Sequence, residues 1–393
     1  MSSKKYNKEL KKNSGFFFNN YGAALKLHEN GIKKSFLEYL KSHKIISKRK
    51  IKFELRGYPV YELTIPPIGS EICKNRLINE FLYRKDKFMQ LSMTVAISYK
   101  CSQICNQCYI TEYRNFSRKE MTVDEFKIAF DKIVNEVKVW HFDITGGEPF
   151  EHPRFFEIIK QIPADKATAI VATNGFLIDE KMISKIKCSN IMACKVSLDL
   201  YSGLNSYSMR KALNSIKMLT GNKVYTFAQV YLERGFGEYF DIRVIIEKCR
   251  KAGAEFINFI SPMAIGNLRG RDDLFLTYEE RKNIYFWQRY YSLKYEYQIL
   301  LFPDWEIIDT GCLAARDRIY IDPYGDIHPC NFIPRPYGNI LTDNLRQVIS
   351  NMQNDIGDRP NCCYSTNSSL NTIKKIYMQI FGSRIHNRRF STH

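Results

Sequence analysis

The sequence has no run of eighteen apolar residues, so none of its segments is expected to span a bilayer as a helix. It also lacks the apolar region of a secretory signal, because the basic residues 1–12 are followed only by the short patch Phe16–Phe18. The 393 residues exceed the usual size of one domain, and 45% of them are apolar. These features predict a soluble globular protein of the cytoplasm.

Acidic residues are also few, since 41 Asp and Glu stand against 59 Lys and Arg and leave a formal net charge of +18. The excess is concentrated in the first fifty or so residues, including Ser47–Lys52, and in Arg384–Arg389. Basic surface attracts nucleic acid, anionic lipid or acidic peptides without specifying which. A merely solvated, lysine-rich surface is an equal alternative. No RNA-binding module is recognisable, yet nucleic acid is not excluded as a partner.

The most informative feature is a group of three cysteines, Cys101, Cys105 and Cys108, in the spacing Cys-x3-Cys-x2-Cys. In a large chain of this kind, the eleven cysteines are better explained as cluster ligands and buried thiols than as disulfides. Three thiolates can hold three irons of a four-iron cluster and leave the fourth iron open, whereas a closed cluster takes four cysteines. The spacing therefore indicates chemistry at iron.

Two simpler explanations of the triplet are weaker. Zinc requires a fourth ligand, and the nearest histidines, His141 and His152, fall in different predicted elements. Buried apolar cysteines are a poor fit, because the neighbouring residues are Ser, Lys, Gln and Asn.

The triplet followed by an aromatic residue, Tyr109, resembles the signature of the radical S-adenosylmethionine (SAM) enzymes. Three further motifs follow in order, each after an apolar run: Gly146-Gly147-Glu148-Pro149, Thr173-Asn174-Gly175 and Ser197-Leu198-Asp199. The resemblance covers about residues 91–300. It implies a four-iron cluster held by the triplet, with SAM bound to the open iron.

The same region alternates short apolar strands with helices. The predicted strands are Met93–Ser98, Val139–Ile144, Thr168–Thr173, Met192–Asp199, Tyr225–Tyr231 and Phe256–Ser261, and the predicted helices are Thr122–Val137, Pro153–Gln161, Asp179–Ile186, Tyr207–Leu219, Phe240–Ala252 and Thr277–Tyr291. Six such repeats predict an α/β fold with a parallel sheet and right-handed crossovers. This agrees with the partial (β/α)6 barrel that the resemblance implies, and it places all four motifs at the carboxyl ends of strands.

The resemblance also assigns contacts with SAM. Gly146 and Gly147 can present bare peptide groups to the methionine part, where the family receives the amino group, and Glu148 stands nearby. Tyr109 takes the place of the aromatic residue that meets adenine, and Asn174 matches a position whose role is less certain.

Ser197 and Asp199 alternate with Val196 and Leu198, so both side chains are expected to point toward the barrel interior or mouth. A hydroxyl and a carboxylate there suit the ribose hydroxyls, as in related enzymes. Ordinary polarity of a strand end is the alternative.

A second iron–sulfur site is predicted near the carboxyl end. Arg318–Ile321 and Asp326–Pro329 alternate like strands about a turn, so a hairpin would bring Cys312 and Cys330 together. This arrangement resembles the opening of the SPASM and Twitch auxiliary-cluster domains. Cys362 and Cys363 are candidate third and fourth ligands, although adjacent cysteines usually point apart. Because no cysteine follows Cys363, we expect one auxiliary 4Fe-4S cluster; a hairpin without metal is the alternative.

The chain is therefore divided into a basic α+β extension over residues 1–90, a SAM-binding partial barrel over 91–300 and an auxiliary-cluster region with a final helix over 301–393. The extension is predicted to contain a helix over 32–46, two strands over 51–65 and a helix over 68–83, and to recognise substrate or cap the barrel.

The resemblance implies an enzyme that cleaves SAM reductively and uses the 5′-deoxyadenosyl radical to abstract hydrogen from a substrate. A peptide or protein side chain, oxidised or crosslinked, is the leading prediction. The alternatives are a small-molecule dehydrogenase or rearrangement enzyme acting on a sugar, amino sugar or nucleotide, and a non-catalytic iron–sulfur binding protein. The electron would come from an external donor such as flavodoxin or ferredoxin.

Overall fold

The computed structural model describes residues 53–55, 58–60, 70, 72, 93–115, 117–137, 139–200, 203–304, 312–316 and 318–356. Cys362, Cys363 and the helix predicted over 32–46 lie outside the described residues, as does all but Ser70 and Ile72 of the helix predicted over 68–83. Among the described residues, no helix is both long and apolar enough to cross a membrane.

Ten of the twelve strands form one sheet. The strands are β1 (Phe53–Leu55), β2 (Tyr58–Val60), β3 (Met93–Ala96), β4 (His141–Thr145), β5 (Thr168–Thr173), β6 (Ile191–Leu198), β7 (Tyr225–Tyr231), β8 (Phe256–Ile260), β9 (Gln298–Phe302), β10 (Tyr320–Ile321), β11 (Asp326–His328) and β12 (Gly338–Asn339). Strands β3 to β9 are parallel neighbours in chain order, and β1 pairs with β2 in a separate hairpin. This parallel order requires a crossover after each strand, and most crossovers are helical.

The helices are α1 (Val123–Glu136), α2 (Phe155–Lys160), α3 (Glu180–Lys187), α4 (Tyr207–Gly221), α5 (Phe236–Tyr239), α6 (Ile242–Lys251), α7 (Tyr278–Tyr295) and α8 (Leu345–Ile356). Capping residues fix where several of them begin. Thr122 and Glu125 form a capping box at α1, and Thr277 and Glu280 form another at α7. Such boxes satisfy backbone N–H groups that the first turn leaves without partners.

The core lies between the outer face of the sheet and the helices. Along β4, for example, Phe142 and Ile144 are fully buried against the helices, whereas His141, Asp143 and Thr145 point the other way and are partly exposed. This alternation follows from the two-residue period of a strand. It gives the sheet an apolar outer face and a more polar inner face.

The amino-terminal end of the inner face is closed by apolar side chains. Ile170, Ala193, Tyr225 and Phe227 are buried there in one cluster, and Ile72 from the amino-terminal extension packs among them. Access to the inner face is therefore from the opposite end, where the strands finish.

The predicted α/β class is confirmed, and all six predicted strands are present within two residues of their predicted starts. Two strands were not predicted, β9 and β12. The predicted hairpin near the carboxyl end is also present, with Tyr320 opposite His328. Its first strand, β10, pairs in parallel with β3, so the hairpin extends the barrel sheet. The two strands predicted over 51–65 are present as β1 and β2, which pair antiparallel with Leu55 opposite Tyr58.

Candidate active site

The three cysteines lie on the loop that follows β3, at the open end of the barrel. Cys101, Cys105 and Cys108 are each partly exposed, and no cysteine among the described residues forms a disulfide. The loop is held at its first half by Glu151, whose carboxylate accepts hydrogen bonds from the Ser102 N–H at 2.9 Å and its hydroxyl at 2.6 Å. The loop that carries the sulfurs is therefore held in place by a residue that lies outside the loop.

Two glycines pack directly under this loop. Gly147 donates its N–H to the carbonyl oxygen of Ser98 at 2.8 Å, and Glu148 donates to that of Lys100 at 3.0 Å. A Cβ at Gly147 would lie 2.1 Å from the Lys100 oxygen, and one at Gly146, which has a φ of 150°, would lie 2.2 Å from the Ser98 oxygen. Because Gly146 and Gly147 have no side chain, the backbone at these two positions can pack closely against the cysteine loop itself.

A second clamp comes from the loop after β8. Asn267 donates its backbone N–H to the carbonyl oxygen of Cys108 and its side-chain amide to that of Cys105, both at 3.0 Å. The preceding Gly266 approaches so closely that a Cβ would lie 2.3 Å from the Cys108 oxygen. Glu112 also pairs with Arg269 beyond the clamp. The sequence carried no signal for this clamp, because it depends on which strand ends meet at the mouth.

The thiols interact electrostatically with one another. Burial raises the pKa of Cys105 to about 11, and the neighbouring Cys108 and Cys101 raise it further as like charges. Burial also raises the pKa of Cys101, although the Gln103 N–H, which donates to the Cys101 sulfur at 3.4 Å, acts in the opposite direction. Three thiols on one loop that affect one another's charge are the ligand type an iron cluster takes, and its positive charge would offset their mutual repulsion. Among the described residues, however, no three His, Cys, Asp or Glu side chains are already gathered as a metal site, so the sulfurs would have to converge when a cluster binds.

Glu148 is buried rather than directed at solvent. Its carboxylate accepts from the Thr173 hydroxyl at 2.8 Å, the Asn174 N–H at 2.7 Å and the Phe150 N–H at 3.2 Å. Burial raises its pKa to about 7, although these donors act in the opposite direction. The side chain of Asn174 accepts from the Phe176 N–H at 2.9 Å and shapes the turn after β5. Glu148 therefore joins the turn after β4 to that after β5.

Ser197 and Asp199 reach the same mouth from β6. Asp199 is close enough to Cys105 for its charge to raise the pKa of that thiol. Ser197 pairs in register with Gln229 of β7, and both are partly exposed on the inner face. The structure thus brings the β6 positions and the cysteine loop together, as the sequence predicted.

Below this mouth the inner face of the sheet is only partly buried, and we call the space that it borders the chamber. Its wall consists of inward-facing residues that are only partly buried although their outward neighbours are buried: Asp143, Thr145, Ala172, Lys195, Ser197, Gln229, Tyr231, Asn258 and Ile260. Lys195 Nζ lies 2.6 Å from the Asp143 carboxylate across the small Ala172, and the two side chains are 15% and 26% exposed. An ion pair at this depth was not predicted, because single charges within strands give no pattern.

Tyr109 connects the two predicted cluster regions. Its hydroxyl lies 3.3 Å from the Thr145 hydroxyl, and its ring packs edge-on against Phe332, with centroids 5.9 Å apart. Phe332 lies two residues after Cys330 and also contacts Phe302 of β9. The aromatic residue beside the triplet therefore touches the hairpin that carries the second cysteine pair.

The segments that carry Cys312 and Cys330 lie side by side at one corner of that hairpin. Ala315 donates its N–H to the carbonyl oxygen of Pro329 at 2.9 Å, which brings the chain after Cys312 beside Cys330. The Phe332 N–H lies 3.4 Å from the Cys330 sulfur, the same contact that Cys101 receives. These two cysteines fit part of a thiolate ligand set.

Comparisons with known proteins agree with this geometry. Residues 95–260 match the model of the radical SAM superfamily. The subtilosin biosynthesis protein AlbA of Bacillus subtilis is 24% identical over 275 residues, which cover 67% of this chain and 60% of AlbA. The AdoMet-dependent heme synthase of Methanosarcina barkeri is 20% identical over 287 residues, covering 64% of this chain and 80% of the synthase.

Solved structures show the same fold. Streptococcus suis SuiB bound to its precursor peptide SuiA superposes with a TM-score of 0.56 at 14% identity, covering 89% of this chain and 84% of SuiB. The chain thus matches nearly the whole of this structure, but only about 60% of the length of AlbA.

Proposed function

We infer that this chain is a radical SAM enzyme, because residues 95–260 match the model of that superfamily. We propose that it cleaves SAM reductively and that the resulting radical abstracts hydrogen from a peptide or protein side chain. One observation supports this most directly: the loop of Cys101, Cys105 and Cys108 faces Asp199 across a mouth that opens onto a partly exposed polar chamber.

The four-iron cluster and SAM, when bound, supply the 5′-deoxyadenosyl radical, with an electron from an external donor such as flavodoxin or ferredoxin. The chain supplies the geometry. Cys101, Cys105 and Cys108 would hold the cluster, while the backbone of Gly146 and Gly147 and the side chains of Ser197 and Asp199 would orient SAM. Tyr109 would border the adenine. Glu148 and Asn174 would fix the turns that carry these groups.

The chamber would receive the reacting part of the substrate. The Lys195–Asp143 pair forms its polar floor above the apolar cluster that closes the barrel. Hydrogen abstraction requires the substrate carbon to stay close to the radical and away from water, so we assign this floor a positioning role.

A peptide substrate is favoured by the relatives. AlbA is a bacteriocin biosynthesis protein, and SuiB was solved with a precursor peptide. The net charge of +18 suits an acidic peptide segment. A small molecule is the second candidate, because the heme synthase matches over 80% of its own length.

We further propose one auxiliary 4Fe-4S cluster at Cys312 and Cys330, with Cys362 and Cys363 as candidates for the remaining ligands. Its support is the N–H contact to the Cys330 sulfur and the Ala315–Pro329 hydrogen bond, which sets the segment after Cys312 beside the segment before Cys330. Such a cluster could accept the electron that a substrate radical loses during a net oxidation.

Iron content and SAM cleavage test the central proposal. Anaerobically reconstituted protein should hold about eight irons and form 5′-deoxyadenosine when reduced. Replacing Cys101, Cys105 and Cys108 together by Ala should leave about four irons and abolish cleavage. Cys188→Ala is the matched control, because Cys188 is an exposed free thiol outside the site. Cleavage that persists in the triple variant would refute the assignment.

Substrate class needs a separate experiment. Reduced enzyme is incubated with SAM and either a short peptide encoded beside its gene or the products of neighbouring sugar or nucleotide enzymes. A mass loss of two hydrogens in the peptide, together with 5′-deoxyadenosine, supports the peptide proposal. A product formed only from the small molecule would replace it with the second candidate.

A further inference from the structure

The outer face of the barrel carries an unusual concentration of exposed apolar side chains on two adjacent helices, α6 and α7. Of the ten large apolar residues that are exposed in the described part of the chain, six lie here: Val244, Tyr278, Phe286, Tyr290, Leu293 and Tyr295. We call this surface the α6–α7 face. Helices that cover a barrel are normally polar on the side away from the sheet, so this face differs from expectation.

The inner side of α7 is apolar as well. Ile284, Tyr285 and Tyr291 are buried against the barrel, whereas Phe286 is 55% and Leu293 75% exposed. The outer residues are therefore not needed for packing the helix onto the sheet. An apolar surface without a role in the core marks a contact with something else.

Basic residues surround these side chains. The two helices contain eight Lys and Arg, of which Arg281 is buried in an ion pair with Asp304, so seven remain for this surface. Three of the seven pair with carboxylates, Arg243 with Asp241, Arg250 with Glu247 and Lys282 with Glu279, which leaves the surface basic overall. Several of the cations lie over aromatic rings: Arg243 is 5.1 Å from the centroid of Trp287, Arg250 4.9 Å from that of Tyr295, and Lys294 5.1 Å from that of Tyr290. Apolar and aromatic groups mixed with Lys and Arg are typical of protein surfaces that lie in a membrane interface.

We propose that the α6–α7 face binds peripherally to an anionic lipid surface. Phe286 and Leu293 would enter the boundary between headgroups and acyl chains, with the lysines and arginines near the lipid phosphates. This inference goes beyond the proposed reaction and does not depend on it.

The position of the face supports this partner. Helix α7 begins beside the barrel mouth and runs to the opposite end, where β9 starts, so Leu293 lies about 22 Å along the helix from Tyr278. A membrane bound at this end would leave the cysteine loop and the chamber accessible. A substrate peptide bound to this face would instead be held far from the mouth, where the proposed reaction takes place.

Other partners fit less well. A groove-binding peptide helix would find the space between α6 and α7 already filled, because Arg243 and Arg250 of α6 cover Trp287 and Tyr295 of α7. A two-fold dimer through this face would set the same basic residues against each other. The terminal segments 1–52 and 357–393 are also basic, so charge repulsion likewise disfavours either of them as the partner that covers this face.

Nucleic acid is disfavoured by the arrangement of the rings. Bases stack on open aromatic faces, but Phe286, Trp287 and Tyr290 pack edge-on against each other at 81° to 84°, and cations cover the faces of Trp287 and Tyr290. The aliphatic Leu293 and Val244 offer nothing to a base or phosphate.

Vesicle flotation of the full chain tests the proposal. We expect wild-type protein to float with vesicles that contain about a third phosphatidylglycerol, more weakly with phosphatidylcholine alone, and less as salt is raised. The double variant Phe286→Ser and Leu293→Ser keeps every charge and should bind the anionic vesicles about tenfold more weakly or worse. The matched control is Ile128→Ser and Leu177→Ser, which removes two apolar residues exposed elsewhere and should bind like wild type.

Depth of insertion gives a second measurement. Brominated acyl chains should quench the fluorescence of Trp287, measured in a Trp305→Phe background because the chain has a third tryptophan there. Adding Trp287→Phe should remove that quenching, because Trp140 is buried in the barrel floor. SAM cleavage should be unchanged in all variants, which separates this test from that of the reaction. The proposal is overturned if wild type does not float, or if the double variant floats equally well. It is also overturned if the double variant instead dissociates a dimer or abolishes RNA binding.

Discussion

The replacement Gly147→Ala should separate the cysteine loop from the turn that supports it. The new Cβ would lie 2.1 Å from the Lys100 carbonyl oxygen, 2.6 Å from its carbon and 2.8 Å from the Cys101 Cβ. These are backbone and first side-chain atoms, so no flexible group can move aside. Ordinary contact requires the loop to retreat by about 1 Å or more.

That shift would act on both hydrogen bonds between the two segments, the 2.8 Å bond to Ser98 and the 3.0 Å bond to Lys100. Losing them would destabilise the loop by about 1–3 kcal/mol. A displacement of about 1 Å in a reacting group can lower a rate about a hundredfold. We therefore expect Gly147→Ala to bind less iron and to form 5′-deoxyadenosine at least about a hundredfold more slowly, measured under anaerobic reduction.

Gly221→Ala is the control for this replacement, because a Cβ there would meet no atom within 4 Å. It should retain wild-type iron and cleavage. Far-ultraviolet circular dichroism of both variants checks that the barrel is folded. If Gly147→Ala retained wild-type iron and rate, the close packing of the two segments would not be what positions the cluster, and this reasoning would fail.

Three further replacements probe other contacts. Asn267→Ala removes the side-chain bond of the clamp to the Cys105 carbonyl and keeps the backbone bond to Cys108, so a chelator should extract iron several-fold faster; an unchanged extraction rate would show that the side-chain bond does not hold the loop. Lys195→Met leaves Asp143 without its partner, and we expect substrate turnover to fall about tenfold or more while substrate-free SAM cleavage persists, with partial recovery in Lys195→Arg. Asp304→Asn removes the charge partner of the buried Arg281 and should lower the free energy of unfolding in urea by about 3–5 kcal/mol; a loss under 1 kcal/mol would show that the pair is dispensable.

Much of the barrel could be predicted because its strands are short, apolar and separated by amphipathic helices. Thr168–Thr173 and Tyr225–Tyr231 have the bounds that the sequence predicted. Strand β9 was missed, because Gln298–Phe302 follows a long helix rich in aromatic residues and carries no turn signal. Its strand character comes from pairing with β8, a long-range contact that local propensity does not contain.

The sequence predicted those parts of the candidate site whose residues are close together in the chain. It did not predict the contacts between segments that come together only in the folded protein. The cysteine spacing and the Gly146-Gly147 pair lie within short motifs. The Asn267 clamp and the Lys195–Asp143 pair join segments far apart in sequence, over 162 and 52 residues. Each of those residues alone is ordinary for a loop or a strand. Only the order of strands around the barrel makes them neighbours.

The hairpin with Cys330 shows how this order can fix the distance between two sites. Strand β10 pairs with β3, and the cysteine loop begins directly after β3. The Tyr99 hydroxyl also lies 2.5 Å from the Tyr320 hydroxyl, within a buried aromatic group. The cysteine loop follows β3 and Cys330 follows β11, so sheet pairing links the described cysteines of the two sets. A fixed separation is what electron transfer between two clusters requires, so an appended domain on a flexible linker would suit the proposed oxidation less well.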